Sequence, residues 1–395
     1  MSITLEWVRM PNGIYFRTIC QNGIPLPEPT RYLLRYVHPG ARSPQTVRAY
    51  GQWLLPFFKW LDQQGLALAD IRRMDLDRFR DDLTIPHFSV LSLLRKGTNS
   101  ANSTVSHVLT TTLRFLQWAM GPDDTQLLLR RGHGHSTTRR RVVFSQLLGE
   151  DMSSFTKRLQ PRQNRILPKF LTQSELDACR KWIMETYAFD PLLQLRNRAL
   201  FEVTWDGALR RGALLGLRTK NIQWLERSIL VSFDEQDYLD AWFCKSSNYR
   251  YAKNGEYTVI VADQTIQWLD RYRQEARPVK ALRLGHGIFF CEHAVHGDDH
   301  GQPLSLETLL YFFESMSKPV NEGGTGIHVT PHMLRHTWAA MAEEDGLPPE
   351  TIQHYLGHAH LATSEIYSHV SPERIRKDLR QMRQNHLERY GRISQ

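Results

Sequence analysis

The chain has 395 residues, enough for two or three domains and a sizeable buried core. Its hydrophobic content of 41% and charged content of 23% exclude a wholly disordered chain. No apolar run approaches the roughly 18 residues that would read as a membrane-spanning helix. Lys and Arg number 50 against 41 Asp and Glu, so the net charge is +9, a moderate signal for a polyanionic partner. The four cysteines, Cys20, Cys179, Cys244 and Cys291, lie far apart, which excludes a CxxC zinc site or a dense disulfide framework. The opening MSITLEWVRM lacks the basic-then-apolar order of a secretory signal. Together these features predict a cytoplasmic protein in a reducing compartment.

Residues 1–27 hold short β-like runs around Asn12-Gly13 and Asn22-Gly23, both strong hairpin signals. They predict a small β-hairpin-like appendage, and Pro25, Pro27 and Pro29 then read as a linker. Residues 28–130 read as a helical domain. Ser43-Pro44 supplies an N-cap followed by proline at the first helical position. Val47, Tyr50, Leu54, Phe57, Phe58 and Leu61 then form one apolar stripe, with Pro56 expected to kink the helix or break one backbone bond. A second amphipathic helix is predicted from about Ser103, with Val105, Val108, Leu109, Leu113, Phe115, Leu116 and Trp118 on its apolar side.

Residues 131–169 read as a basic linker. With Arg130, the stretch carries ten Lys and Arg against two acids, the pattern of a solvated linker or of a strap along phosphates. The next domain spans residues 170–371. It opens on the capping box Thr172-Gln-Ser-Glu175 and mixes helices with strand candidates at 228–233 and 257–261, the second preceded by a Lys253-Asn254-Gly255 turn. Residues 372–395 form a helical tail with Ile375, Leu379 and Met382 on one face.

Four segments carry chemistry: Gly207-Ala208-Leu209-Arg210 running on to Leu214-Leu215-Gly216-Leu217; the Lys253 turn; His332-Met-Leu-Arg335-His336-Thr337; and Leu356-Gly357-His358, followed nine residues later by Tyr367. Two guanidinium groups can grip the non-bridging oxygens of a phosphodiester and stabilise added charge at phosphorus. A tyrosine can attack phosphorus, histidines can donate hydrogen bonds or move protons, and a lysine can protonate a leaving oxygen. Each segment alone is weak. A single tyrosine near a helix end is usually structural, and a lysine in a turn is usually solvated. His332 and His336 stand at i and i+4, the spacing of a zinc pair, but an HExxH metalloprotease needs Glu where Met333 stands.

Together and in this order, the segments resemble the tyrosine recombinases, the phage-integrase and Xer-type family with its transposon-borne members. Leu167-Pro-Lys-Phe-Leu-Thr172 also resembles the entry to that family's catalytic domain, and Ser43-Pro-Gln-Thr46-Val-Arg48-Ala-Tyr50 its core-binding domain. The resemblance covers about residues 28–385. It implies a mainly α fold with small β-sheets, in which a helical, SAM-like core-binding domain and a mixed α+β catalytic domain form a C-shaped DNA clamp. It makes Arg210 and Arg335 the phosphate clamp, Tyr367 the nucleophile, His332 and His358 the proton-transfer and hydrogen-bonding pair, and Lys253 the hairpin lysine, with Lys245 its rival. It further implies double-stranded DNA as substrate, a tetramer on two DNA sites, accessory recombinases or DNA-bending proteins as further partners, and no cofactor or metal. No GxxxxGK[ST] loop is present, in keeping with chemistry that needs no ATP.

The family usually has an acid three residues after the first arginine, where this chain has Ala213. That acid buttresses catalytic side chains, and Asp206 is the candidate substitute. The tail helix is expected to dock on a neighbouring protomer; the alternative is packing on its own domain. Three other functions stay open: a DNA-binding accessory protein that has lost catalysis, a type IB topoisomerase, and a metal-dependent nuclease or transposase drawing on Asp298, Asp299 and His300, which sit in a Gly-flanked loop and read as turn residues.

Overall fold

The computed structural model describes residues 2–37, 44–84, 98–119, 170–232, 256–293, 299–357 and 372–390. These fall into two compact units, the described residues up to 119 in the first and those from 170 onward in the second. The basic stretch expected to act as a strap lies outside the described residues, as do the Lys253 turn, Ser43 and Cys244. No described helix is long and apolar enough to cross a membrane.

In the first unit, β1 (Ile3–Arg9) and β2 (Tyr15–Gln21) pair antiparallel from Ile3↔Gln21 to Arg9↔Tyr15, and β3 (Ile24–Pro25) pairs with β2. The turns fall at the expected dipeptides. Gly13, Asn22 and Gly23 all take positive φ, which Asn and Gly tolerate best. The sheet lies against a long helix, α2 (Pro44–Gln64). A Cβ on Gly51 of that helix would meet Leu5 Cδ1 at 3.1 Å, so strand and helix approach closely there.

The expected linker at Pro25–Pro29 is instead a helix, α1 (Pro27–Leu34). Its prolines sit in the first turn, where the missing N–H leaves no intrahelical bond unmade. Helix α2 runs on through Pro56. Helix α3 (Arg73–Thr84) follows, and α4 (Thr98–Ala119) begins five residues before the expected Ser103. The predicted stripes are buried: Val47, Leu54 and Phe57 from α2 and Val108, Phe115 and Leu116 from α4 are all 0% exposed. Trp60 closes this core and donates its indole N–H to Asp82 at 2.8 Å.

The second unit opens on α5 (Gln173–Thr186), whose capping box is formed as predicted, Thr172 Oγ1 accepting from Glu175 N and the Glu175 carboxylate from Thr172 N. Helix α6 (Pro191–Asp206), capped by Asp190, is buried on nearly every face from Leu195 to Thr204. Its Glu202 accepts from Arg180 at 2.9 Å and Arg198 at 2.7 Å. After α7 (Arg211–Leu215) come β4 (Ile222–Gln223), β5 (Ser228–Val231) and β6 (Tyr257–Ile260), antiparallel in that order. The two predicted strands are present, a residue or two shorter, and β4 adds an edge too short to read from sequence. Helices α8 (Asp263–Arg271), α9 (Lys280–Leu284), α10 (Leu306–Ser317), α11 (Pro331–Glu344) and α12 (Pro349–Tyr355) complete the body, and α13 (Pro372–Tyr390) closes it.

The face of α13 expected to dock on a neighbouring protomer packs on its own unit. Ile375, Leu379 and Met382 join the core there, at 4%, 1% and 9% exposure. Arg383 bonds Asp206 at 3.2 Å and the Ile260 carbonyl at 3.0 Å, while Asn385 and His386 both bond Asp345.

Candidate active site

The site forms where three elements end. Helix α6 stops at Asp206-Gly207, and a Cβ on Gly207 would lie 2.7 Å from the Val203 carbonyl. Ala208 then takes φ +45, a conformation costly for any residue with a Cβ, while 0% exposed. This turn aims the Ala208 carbonyl inward and sets Arg210 in extended backbone at the head of α7.

From the other side, α11 starts at a Thr330 N-cap with Pro331 in its first turn. His332, Arg335 and His336 therefore lie along one face, at i, i+3 and i+4. The third element is the end of α12. There the Tyr355 hydroxyl donates to the Asp206 carbonyl at 2.7 Å, its second contact being the Ile260 carbonyl at 3.0 Å. The Tyr355 ring stacks on Trp338 at 4.2 Å. This buried tyrosine fixes the chain just ahead of Leu356-Gly357.

The two arginines meet on that chain. Arg335, 5% exposed, donates to the Ala208 carbonyl at 2.7 Å and to the Leu356 carbonyl. Arg210 donates to the same Leu356 carbonyl at 3.1 Å and to Gly357 at 3.0 Å. Two guanidinium groups thus share one carbonyl oxygen, and among the described residues no carboxylate pairs with either. Burial, and then the neighbouring Arg210, push the Arg335 guanidinium down to about 10, still well above neutrality. Two cations held by neutral carbonyls remain short of negative charge. Two guanidinium groups placed this way can chemically receive a tetrahedral anion.

Tyr257, the first residue of β6, flanks the cradle. Its phenol lies close enough to Arg335 to favour the guanidinium charge. Its ring also lies flush on Gly357, where a Cβ would approach ring carbons at 2.5 to 2.7 Å. Gly357 has φ +56, so both its backbone and its surroundings require glycine. On the exposed side of α11, His332 and His336 face each other with Nε2 atoms 2.9 Å apart. Burial, followed by the charges of His336, Arg335 and Arg210, lowers the pKa of His332 below its ordinary 6.5.

Of the residues singled out from sequence, Arg210, His332 and Arg335 come together here. Lys253, His358 and Tyr367, with the rival Lys245, lie outside the described residues. Asp206 does not act as the substitute buttress. Its carboxylate accepts from Ala262 N, from Thr265 Oγ1 at 2.9 Å and from Arg383 at 3.2 Å, so it ties the tail helix to α6 rather than steadying the arginines. Sequence reasoning missed Tyr355, Tyr257 and the carbonyl cradle. The only available cue was the position of Tyr355 immediately before Leu356-Gly357. The pair His332–His336 has no third described His, Cys, Asp or Glu grouped with it.

This architecture defines a mostly helical, two-unit protein in which two arginines converge on one main-chain carbonyl. The phage integrase family profile matches residues 169–374, and that of the phage integrase N-terminal SAM-like domain matches residues 30–121. The chain belongs to the phage integrase family, and is a tyrosine recombinase. It is 26% identical over 266 residues to the tyrosine recombinase XerC of Bacillus licheniformis, an alignment covering 64% of this chain and 78% of that protein. It is 25% identical over 355 residues to transposase A from transposon Tn554 of Staphylococcus aureus, covering 89% and 90%. Among solved structures, the fold is similar to XerH recombinase bound to its palindromic difH substrate in a post-cleavage complex. That match has 19% identity and a TM-score of 0.51, over 85% of this chain and 79% of the other. It is also similar to the Tn1549 transposon integrase in complex with circular intermediate DNA, at 17% identity and TM-score 0.50, covering 89% and 98%.

Proposed function

We propose that this chain cleaves and rejoins duplex DNA at specific sites through a 3′-phosphotyrosine on Tyr367, in the integration, excision or transposition of a mobile element. The observation that carries the reading is the pair of arginines sharing the Leu356 carbonyl with no carboxylate partner among the described residues. Such a pair fits the non-bridging oxygens of a scissile phosphate and gains strength as charge accumulates there in the transition state. Tyr367 Oη attacks phosphorus. The bond from phosphorus to the 5′-oxygen breaks, and that oxygen takes a proton from Lys253. His332 and His358 bond the phosphate and move the tyrosine proton. A 5′-hydroxyl of a second duplex then attacks the ester, releasing Tyr367 and restoring a phosphodiester. The ester conserves the bond energy, so the cycle needs no ATP, and the two arginines supply the charge stabilisation that a metal gives in other phosphoryl transfers.

The similarity to transposase A from Tn554, which runs along both units, supports a mobile-element role. Cleaving and rejoining both strands of two duplexes calls for two DNA sites and four protomers, with accessory recombinases or DNA-bending proteins as further partners, in a bacterial cytoplasm at the nucleoid. The accessory-protein alternative rested on Ala213, and the arginines are held without an acid there.

The test is covalent trapping in EDTA on nicked duplexes taken from the DNA flanking the gene. An SDS-resistant adduct with the wild-type chain, absent in Tyr367→Phe, is the expected result. Specific binding without any adduct would overturn the assignment of catalysis.

A further inference from the structure

His336 lies one turn of α11 beyond His332, and nothing in the reaction above uses it. Both rings are exposed, yet they meet edge to face with centroids 4.2 Å apart and an interplanar angle of 78°. Their Nε2 atoms are 2.9 Å apart. A hydrogen bond between two Nε2 atoms needs one proton on that line, with one ring donating and the other accepting. If both rings were charged, each would point an N–H at the other. With the bond intact, the pair therefore carries at most one positive charge.

We propose that His336 is the positioning residue of the proton-transfer step: its bond fixes the His332 ring and limits the pair to one added proton, which His332 takes up only when a phosphate balances the two arginines. This rests on the recombinase reading of the site. The described charged groups facing His332 are His336 and Arg335 on its own helix and Arg210 from the turn before α7, and all three disfavour a charge on it. Tyr257 from β6 faces Arg335. An exposed histidine without such a partner would turn freely and protonate in the ordinary range. The Nε2 bond also makes the pair report on the site. An anion in the cradle cancels the nearest positive charge and favours the added proton.

The test has two arms on the full-length chain. In the first, histidine-labelled protein is titrated by NMR, with resonances assigned from His332→Gln and His336→Gln. In His336→Gln, the His332 ring should titrate at higher pH than in the wild type, because the ring that competes with it for the pair's single positive charge is gone. An unchanged titration would overturn the proposal without touching the recombinase reading. In the second arm, adduct formation on the same nicked duplexes is measured against pH. The limb that disappears in His332→Gln should move to higher pH in His336→Gln. A lower rate with an unmoved limb would mean that His336 is merely structural. If the wild type forms no adduct on any duplex, the functional reading falls, and the NMR arm still decides whether the two rings are coupled.

Discussion

Replacing Gly357 by alanine tests the cradle at its tightest point. Two costs follow from the geometry. Gly357 has φ +56, and an L-residue in that region costs about 1–2 kcal/mol. The new Cβ would also lie 2.5 Å from a Tyr257 ring carbon. The ring would have to retreat by about 1 Å to reach ordinary contact, and overpacking of this kind costs about 1–3 kcal/mol. The sum, about 2–5 kcal/mol, falls on the segment whose carbonyls hold both arginines. The expected result is a lower urea midpoint for the transition of the second unit. Adduct formation should fall by more than stability alone explains, because Arg210 loses the geometry of its Gly357 bond. Tyr257→Ala in the same chain removes the ring contact and leaves the backbone cost, so the double variant should be more stable than the sum of the singles predicts. Tyr257→Phe keeps the ring and should give no such recovery. A Gly357→Ala chain with wild-type midpoint and wild-type cleavage would refute the reasoning, as would strict additivity with Tyr257→Ala.

Two further outcomes follow from buried charge and from the tail. Glu202 is fully buried. Burial opposes its ionisation, but Arg180 and Arg198 prevail and hold its pKa below the ordinary 4.5. The stability this confers is complete above the ordinary value and is lost as pH falls through the depressed one. Glu202→Gln should therefore cost about 3–5 kcal/mol at neutral pH and flatten the loss of stability below pH 4.5, read by urea titrations across pH. Deleting residues 372–395 removes three buried side chains, each worth about 2–5 kcal/mol in large-to-small exchanges. The truncated chain should lose the cooperative transition of its second unit altogether. A truncated chain that stays folded and fails only in assembly would instead restore docking on a neighbouring protomer.

What could be read from the sequence was what side-chain type encodes. The Thr172–Glu175 box, the Asn-Gly turns and the apolar stripes of α2 and α4 each follow from a local rule. So does the placing of His332, Arg335 and His336 on one face of α11. The elements misread fail for equally local reasons. Prolines at 25, 27 and 29 signal both a linker and a helix start, and tertiary packing against the sheet, α2 and α4 selects the helix. The beginning of α4 lies in a polar run, Thr98-Asn-Ser-Ala-Asn, that offers no apolar period to read. Asp206 looked available as a buttress because sequence does not reveal that Ala262, Thr265 and Arg383 already claim its oxygens. The tail's apolar face was visible, but an amphipathic face does not name the surface it covers.

The absence of an acid at position 213 finds its physical answer in the backbone. A carboxylate beside two arginines would neutralise part of the charge that makes the site attractive to a phosphate. Three carbonyls hold the same side chains in place and leave their net charge intact. The cost is borne by conformation: Ala208 sits at φ +45, Gly357 at φ +56, and Arg335 is buried beside another cation. Tyr355 makes that conformation affordable to the fold, since its hydroxyl ties the end of α12 to the Asp206 and Ile260 carbonyls on two other elements. The site is therefore held by main-chain groups that no residue at position 213 could supply. It follows that Ala213→Glu, buried among Leu209, Leu214 and Leu215, should weaken the second unit rather than improve cleavage.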